Sequence, residues 1–576
     1  MSEHDDQPAE RPERYEFDDV VVDPESYRVL KAGRARHLGP RPFDLLLELL
    51  RHPGRVLGKQ ELFDRVWRGV IVTDNALTRA IKDLRDAIGD DARAPRYVET
   101  VARRGYRFVA PVTPAASPVK LVLAVLPFSD LSRDPQEYFC DGLTEELITQ
   151  IAHLNPERLR VIARTSAMMY RNTTLPISEI ARELGVACVL EGSVRREGGR
   201  VRISAQLIDA RDQTHLWADS FEEDLSDILR AQRQLADAVT RAVRVELGPG
   251  IEPRRDASSI DPEAYAAHLE GRYFWNRRTG DAIERARSAF ERAVSREPTY
   301  APAHASLARC HMVFTWGLRP RFDAEPMAEA AVRTALDLDY RLAEAHTTLG
   351  ALQAIARDYS AAERTFRQAL TLSPNDPTVH HWHAMLFLVA LGRFEEALSE
   401  LRRAQALDPL ALIFAADAAA VLCLMREPDK AIEQCHRVLG LDPTFARAHF
   451  YAGWAHAQQD ELRDALTALE KACELDDNPW TAGWLGYACG RAGRESDAER
   501  LLDRLRELSD RGCEVAFFTS LVQTGMGDLE SALASLAVAR EERAIGFDIA
   551  RYTFAFDCLR EDPRFQRLLQ VGGPES

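Results

Sequence analysis

From its middle to its end the chain repeats itself about every 34 residues. Aligning Pro298, Tyr340, Pro374, Pro409, Pro443, Asp477 and Arg511 gives steps of 42, 34, 35, 34, 34 and 34 residues. An alanine stands twelve residues before each of the first six (Ala286, Ala328, Ala362, Ala397, Ala431, Ala465). A small residue stands ten residues after each of the first five (Ala308, Gly350, Ala384, Ala419, Gly453). A helical unit with one apolar face cannot bury that face alone; stacked copies bury it against one another. Small side chains at a fixed position let the paired helices approach closely. The period predicts an all-α solenoid over residues 260–570, with the longer first step read as a loop around Leu318–Pro326. Such an array offers a long curved groove for a peptide or a segment of another protein.

The remaining sequence must fold otherwise. At roughly 150 residues per unit, 576 residues suggest about four units. The net charge of −16 looks wrong for a nucleic-acid binder, but it is unevenly spread. Residues 14–112 hold 19 Lys and Arg against 15 Asp and Glu, a net charge of +4. A basic module on an acidic body is the pattern expected when one part alone meets phosphate. Nine scattered cysteines, an odd number with no CxxC, argue against a disulfide framework and for a reducing compartment. Residues 1–13 are acidic and polar, a disordered tail rather than a signal peptide. The most apolar stretches, Val119–Phe128 and Ala411–Met425, are too short or too polar to span a bilayer. The chain is therefore expected in the cytoplasm, with no membrane partner.

Within the basic segment, Tyr15–Leu38 alternates β-rich runs with turn residues and predicts a small antiparallel sheet. Pro42 opens a helix that Pro53-Gly54 ends, and Lys59–Trp67 is a second helix. Asn75–Ile88 is a third, amphipathic one: Leu77, Ile81, Leu84 and Ile88 fall on one side, and Asn75, Thr78, Arg79 and Lys82 on the other. Gly89 suits its end. The following YVETVARRGYRFV is strand-forming, with a turn at Arg104-Gly105. In LLLELLRHPGRVLGKQELFDRVW, DNALTRAIKDLRDAIGDD and YVETVARRGYRFV, residues 14–112 resemble the OmpR/PhoB-type winged-helix DNA-binding domain, an α+β fold. The resemblance implies that the third helix enters the major groove and the hairpin wing touches the flanking backbone. It places Asn75, Thr78, Arg79 and Lys82 toward DNA, Arg85 on a phosphate, and Arg103, Arg104 and Tyr106 on the wing. It also implies double-stranded promoter DNA as partner, tandem or homodimeric binding to direct repeats, and contact with RNA polymerase through Arg68–Thr73. Asp83 and Asp86 depart from the more basic helices of that family. Relatives of this type carry a receiver domain or, in CadC- and ToxR-like regulators, a transmembrane helix. Neither is expected here.

After a linker at 113–118, residues 119–247 read as an α/β domain. VKLVLAVLPF is a buried strand, Asp141–Leu154 a helix, LRVIART a strand and Ile177–Leu184 a helix. Three strands over 188–222 turn at Gly198-Gly199, and Ile228–Leu247 closes the unit. The pattern resembles the TolB-like (FlgO-like) amino-terminal domain, whose resemblance carries no catalytic role. A second linker covers 248–259, and the repeats beyond it resemble tetratricopeptide repeats. No enzyme is expected: phosphate-loop, nucleophile-elbow and zinc-protease motifs are absent from the sequence. Asp141, Glu145 and Glu146 are read as acids in a helix's first turn, where they suit its dipole. His304, His346, His380 and His449 each lie six residues after a repeat boundary, which reads as packing rather than metal binding. Trp316, Trp382, Trp454 and Trp484 read chiefly as core, and the cysteine pairs Cys423/Cys435 and Cys473/Cys489 as apolar packing. No cofactor or metal is expected. The fold expectation is multidomain: winged helix, TolB-like α/β domain, tetratricopeptide solenoid. The functional expectation is a one-component transcriptional regulator whose repeats take an unknown protein or peptide or mediate self-association. The alternative is a repeat scaffold whose winged helix does not bind DNA specifically.

Overall fold

The computed structural model describes residues 14–23, 28–31, 34–36, 38–66, 74–101, 104–115, 121–154, 159–197, 199–224, 227–247, 260–276, 280–314 and 321–570. Residues 1–13, expected as a tail, residues 68–73, expected to contact polymerase, Arg103, and residues 248–259, expected as a linker, lie outside them. The chain divides into two units, residues 1–120 and 121–576.

The first unit opens with strands β1 (Arg14–Phe17), β2 (Val20–Asp23), β3 (Arg28–Lys31) and β4 (Arg34–Arg36). Helix α1 (Pro40–Arg51), strand β5 (Val56–Leu57), helix α2 (Lys59–Val66) and helix α3 (Asp74–Ile88) follow. A hairpin of β6 (Val98–Val101) and β7 (Gly105–Phe108) then leads to β8 (Thr113–Ala115). The amino-terminal sheet has the order β4-β3-β2-β1-β8, and the wing sheet β5-β7-β6. Thr113–Ala115, read as the start of a linker, instead pairs antiparallel with Arg14–Glu16. Both chain ends of the domain are thus tied into one sheet. Its core joins Phe43, Leu46 and Leu50 of α1 to Leu77, Ile81, Leu84 and Ile88 of α3, all buried. Phe17 meets Tyr97 and Phe108 edge-on at 5.1 and 4.9 Å.

The second unit begins with an α/β layer. Strand β9 (Leu121–Val125) lies between β11 (Leu159–Val161) and β12 (Cys188–Glu197), parallel to both. Strands β13 (Arg200–Asp209) and β14 (His215–Asp224) extend the sheet antiparallel, and β10 (Ser129–Asp130) pairs with β12. Helix α4 starts at Glu137 and runs to Leu154, so Asp141, Glu145 and Glu146 sit beyond its first turn. Their role is not the helix dipole. Each engages arginine: Asp141 pairs with Arg171 and Arg164, Glu145 with Arg164 and Arg272, and Glu146 with Arg272.

Among the described residues eight helix pairs follow, from Pro262–Trp275 with Gly280–Arg296 to Ala516–Gly525 with Leu529–Glu541. The recurrent alanines at 286, 328, 362, 397, 431 and 465 are completely buried. At Gly350 an added Cβ would stand 3.0 Å from the Phe366 ring of the partner helix, and at Gly453 2.5 Å from Leu469. Close helix approach therefore excludes larger side chains there. The four boundary histidines share one bond. The ring Nε2 of His304, His346, His380 and His449 donates to the carbonyl six residues earlier, at Pro298, Tyr340, Pro374 and Pro443, over 2.7–2.9 Å. Each closes the end of the previous helix pair onto the next. The predicted loop at 318–326 is corrected from Arg321 onward: helix Arg321–Leu338 takes in Pro326. His383–Leu388 departs from α-helix and forms a π-helical turn. Trp382, Trp454 and Trp484 are buried, and Cys423 and Cys435 are buried thiols that desolvation pushes up, Cys435 to about 12.

The α/β layer and the repeats share a core: Ile260, Tyr265, Leu269 and Tyr300 pack with the apolar face of α4 and the sheet. Arg272, from the first repeat helix, donates to Glu145 at 2.6 Å and also to Glu146. Burial works against charge at both acids. At Glu145 the Arg272 and Arg164 guanidiniums overcome it and hold the carboxyl below its usual range, whereas burial pushes Glu146 up. A second junction lies at the boundary residue Asp408. Its carboxylate accepts from the Ser166 amide (2.8 Å) and hydroxyl (2.5 Å), while Leu410 N donates to Ser166 Oγ (2.8 Å). Replacing Asp408 by Ala leaves two buried donors unpaired. The expected cost is about 1–3 kcal/mol, read as an earlier urea transition of residues 121–570, with faster hydrogen exchange at the Ser166 amide.

Candidate nucleic-acid interface

The amphipathic pattern of α3 divides its side chains as the sequence predicts. Leu77, Ile81, Leu84 and Ile88 are buried, and Thr78, Arg79 and Lys82 are exposed on the opposite side. Asn75 lies in the first turn of the same helix. Neither Arg79 nor Lys82 pairs with a carboxylate among the described residues, and the guanidinium and the ammonium are both exposed. Asp83 and Asp86 are exposed on the same helix, which makes the surface mixed rather than purely basic.

Two of the expected contacts are overturned. Arg85 does not reach outward to a phosphate. It is 8% exposed, and its Nη2 donates to the Val98 carbonyl at 2.6 Å and to Thr100 Oγ1 at 3.0 Å. Asp90, whose side chain is fully buried, lies 3.8 Å from Arg85 Nε. Its carboxylate accepts from the backbone N–H groups of Arg96, Tyr97 and Val98 at 2.7–3.2 Å. The pair thus fastens α3 to the first wing strand. The signal was in the spacing: an Asp five residues after the arginine, across the helix-ending Gly89, points back at it. Tyr106, expected on the wing surface, is 7% exposed and packs into the domain core. It occupies the inward side of β7, since alternate strand residues face opposite sides.

What remains on the wing is Arg104, exposed at the turn between β6 and β7. Arg107 was not among the expected contacts. It is half exposed and spends its charge on Glu99 across the hairpin, at 2.6 Å. Gly105 sits at φ +140°, and an added Cβ would fall 1.9 Å from the Leu57 carbonyl oxygen. Only glycine lets β7 lie against β5, which sets the angle of the wing. Lys31 adds a further tie, its Nζ donating to the last carbonyl of α3, Ile88 O, at 2.6 Å. The exposed cations Arg79, Lys82 and Arg104 are therefore carried on elements fixed by buried polar bonds.

A polar cleft lies past the carboxyl end of β9 and against the middle of β12, β13 and β14, a cavity of about 960 Å³ reached by Asp130, Glu137, Asp141 and Arg171. Asp141 and Glu137 there are engaged by Arg171. A possible metal-ligand group, His456, Glu461 and Asp464, lies on the repeats, with His456 Nδ1 2.7 Å from Glu461. Its carboxylates are exposed.

Residues 33–108 match the family described as transcriptional regulatory protein, C terminal. Residues 119–238 match the HilA/YgeH-like transcriptional regulator, second domain. The chain is 37% identical over 261 residues to a protein of Rhizobium meliloti named putative adenylate cyclase 3, covering 44% of each. It therefore spans less than half the length of that relative. It is 25% identical over 408 residues to the transcriptional regulator HilA of Salmonella paratyphi A, covering 69% of this chain and 71% of that one. Among solved structures, the DNA-binding domain of Escherichia coli CadC is 35% identical, covering 18% of this chain and 98% of that one, with a TM-score of 0.17. Among the described residues, no helix is long and apolar enough to cross a membrane.

Arg85→Ala is expected to destabilise the first unit by about 3 kcal/mol, because it leaves a buried carboxylate without its cation. Arg79→Ala is expected to leave stability within about 0.5 kcal/mol. Hydrogen exchange at the amides of β6 checks both; equal protection in the two variants would refute the clamp.

Proposed function

We propose that the OmpR/PhoB-type winged helix of this chain binds double-stranded promoter DNA and that the protein is a sequence-specific transcriptional regulator. The observation that carries this is the exposed set Thr78, Arg79 and Lys82 on α3, with Arg104 on the wing, in a domain matching regulators that bind DNA. A helix of this size fits the major groove, where side chains on its outer face read base edges. A cation on the adjacent wing sets register against the phosphates. Asn75 and Arg103 are included as the resemblance implies, not from their placement.

Two copies on direct-repeat half-sites, and RNA polymerase at the 68–73 loop, complete the reading. The repeats supply the input, by taking a protein or peptide partner or a second copy of the chain. Assembly through the repeats raises the effective DNA affinity of linked winged helices. The reading is non-enzymatic: the acids of α4 are held by arginines, and the cyclase-named relative shares only part of its length with this chain. The second reading, a repeat scaffold with a winged helix that does not bind DNA specifically, has Asp83 and Asp86 in its favour.

A gel shift on the DNA upstream of the protein's own gene separates the two. Loss of a phosphate contact lowers the slope of log affinity against log salt by about 0.9. Loss of a base contact costs about 1–3 kcal/mol at one base pair. Arg79→Ala and Lys82→Ala are expected to show one or the other effect, and Arg104→Ala the first. Affinities and salt slopes unchanged in all three variants would remove this surface from consideration.

A further inference from the structure

A cavity of about 270 Å³ lies inside the repeats, walled by residues from Ala354 to Ile549. This is just under the roughly 300–1,000 Å³ of small-molecule sites. Its walls are aromatic: Phe450, Tyr451, Trp454, Trp480 and Phe518 line it. Trp480 and Phe518 meet edge-on at 5.0 Å, and Phe450 lies 6.3 Å from Trp454.

The charges around this aromatic wall are mostly negative. Asp417, Asp476, Glu514 and Asp548 line the cavity against the single arginine Arg447. That arginine is committed: Arg447 Nη1 donates to both oxygens of Asp417 at 3.0 and 3.1 Å, and His381 and Tyr451 bond the same carboxylate at 2.7 and 3.0 Å. Asp476 is exposed at the next repeat boundary, where its carboxylate accepts from Asn478 Nδ2 at 3.0 Å. Aromatic faces and carboxylates attract the same kind of group, a cation with an apolar body.

The segment after the last helix pair limits the size of the occupant. The 3-10 turns Ile545–Ile549 and Phe554–Leu559 run back to the inter-helix turns of earlier repeats. Asp548 accepts from Arg357 Nε at 2.9 Å and Asp557 from Arg426 Nη2 at 2.7 Å. Between these ties Tyr552 packs edge-on against Phe394 at 4.9 Å. A long peptide laid along the groove would have to displace this segment, whereas a small molecule fits beneath it.

We infer that this cavity binds a small organic cation, an ammonium group on an aromatic or aliphatic body, as an input to the regulator additional to any protein or peptide held elsewhere on the repeats. The proposal rests on the reading of the repeats as the input end. Ligand carbon replaces water against Phe450, Trp454 and Phe518, and the ammonium sits among Asp476, Glu514 and the indole face of Trp480.

The test is titration of the full-length protein with phenethylammonium and cyclohexylammonium, and with phenylacetate and phenylalanine as anionic and zwitterionic counterparts. Tryptophan fluorescence and melting temperature are the readouts. Saturable quenching and a raised melting temperature with at least one ammonium, and neither with phenylacetate, are expected. Trp480→Ala and Asp476→Asn should each weaken binding about tenfold; Asp476 is exposed, so its variant keeps the fold. Binding of neither cation, tighter binding of phenylacetate or phenylalanine, or an Asp476→Asn protein that binds as the parent does would overturn the inference. Arg79→Ala should bind the cation normally. Loss of cation binding with gel shifts intact removes this site alone, and loss of gel shifts with cation binding intact removes the DNA-binding reading alone.

Discussion

Arg272 carries its charge into a place with almost no water, and much of the second unit follows from that. A buried guanidinium is tolerable only when carboxylates surround it. Glu145 and Glu146 provide them from α4, so the first repeat helix is held against the α/β layer in one orientation. Asp408 adds a second tie at the end of the fourth repeat, where its carboxylate accepts from Ser166. With two such junctions and a continuous apolar core, the layer and the repeats are parts of one body rather than beads on a linker.

Much of this architecture was legible in the sequence because periodicity is a one-dimensional signal. The alanines at 286, 328, 362, 397, 431 and 465 are completely buried, and α3 divides its apolar and polar sides at Leu77, Ile81, Leu84 and Ile88. What could not be read were contacts that depend on partners far along the chain. Sequence alone puts Glu145 at a helix terminus, because its partner Arg272 lies 127 residues away. It reads Thr113–Ala115 as linker, because the partner strand begins at Arg14. The closure of the last turns onto Arg357 and Arg426 has no local signature either.

At the DNA-facing helix, family position and physical environment divide the same cations. Arg79, Lys82 and Arg85 share a charge and a helix, yet Arg85 falls on the side that meets β6, and there it becomes a fastener. A helix wheel separates the two classes only if the strand beside it is known. The outward cations depend on the inward one, since the wing carrying Arg104 takes its position from Arg85, Asp90 and the glycine at 105.

The boundary histidines leave the joints of the solenoid unequally braced. His304, His346 and His449 each tie a helix back to the carbonyl six residues earlier. His380 makes the same bond, and its second ring nitrogen also lies 2.5 Å from Glu400 on the following helix. Removing that ring cuts a link to the preceding boundary and a link to the next helix at once, so the joint beside the π-helical turn is the one held from both sides.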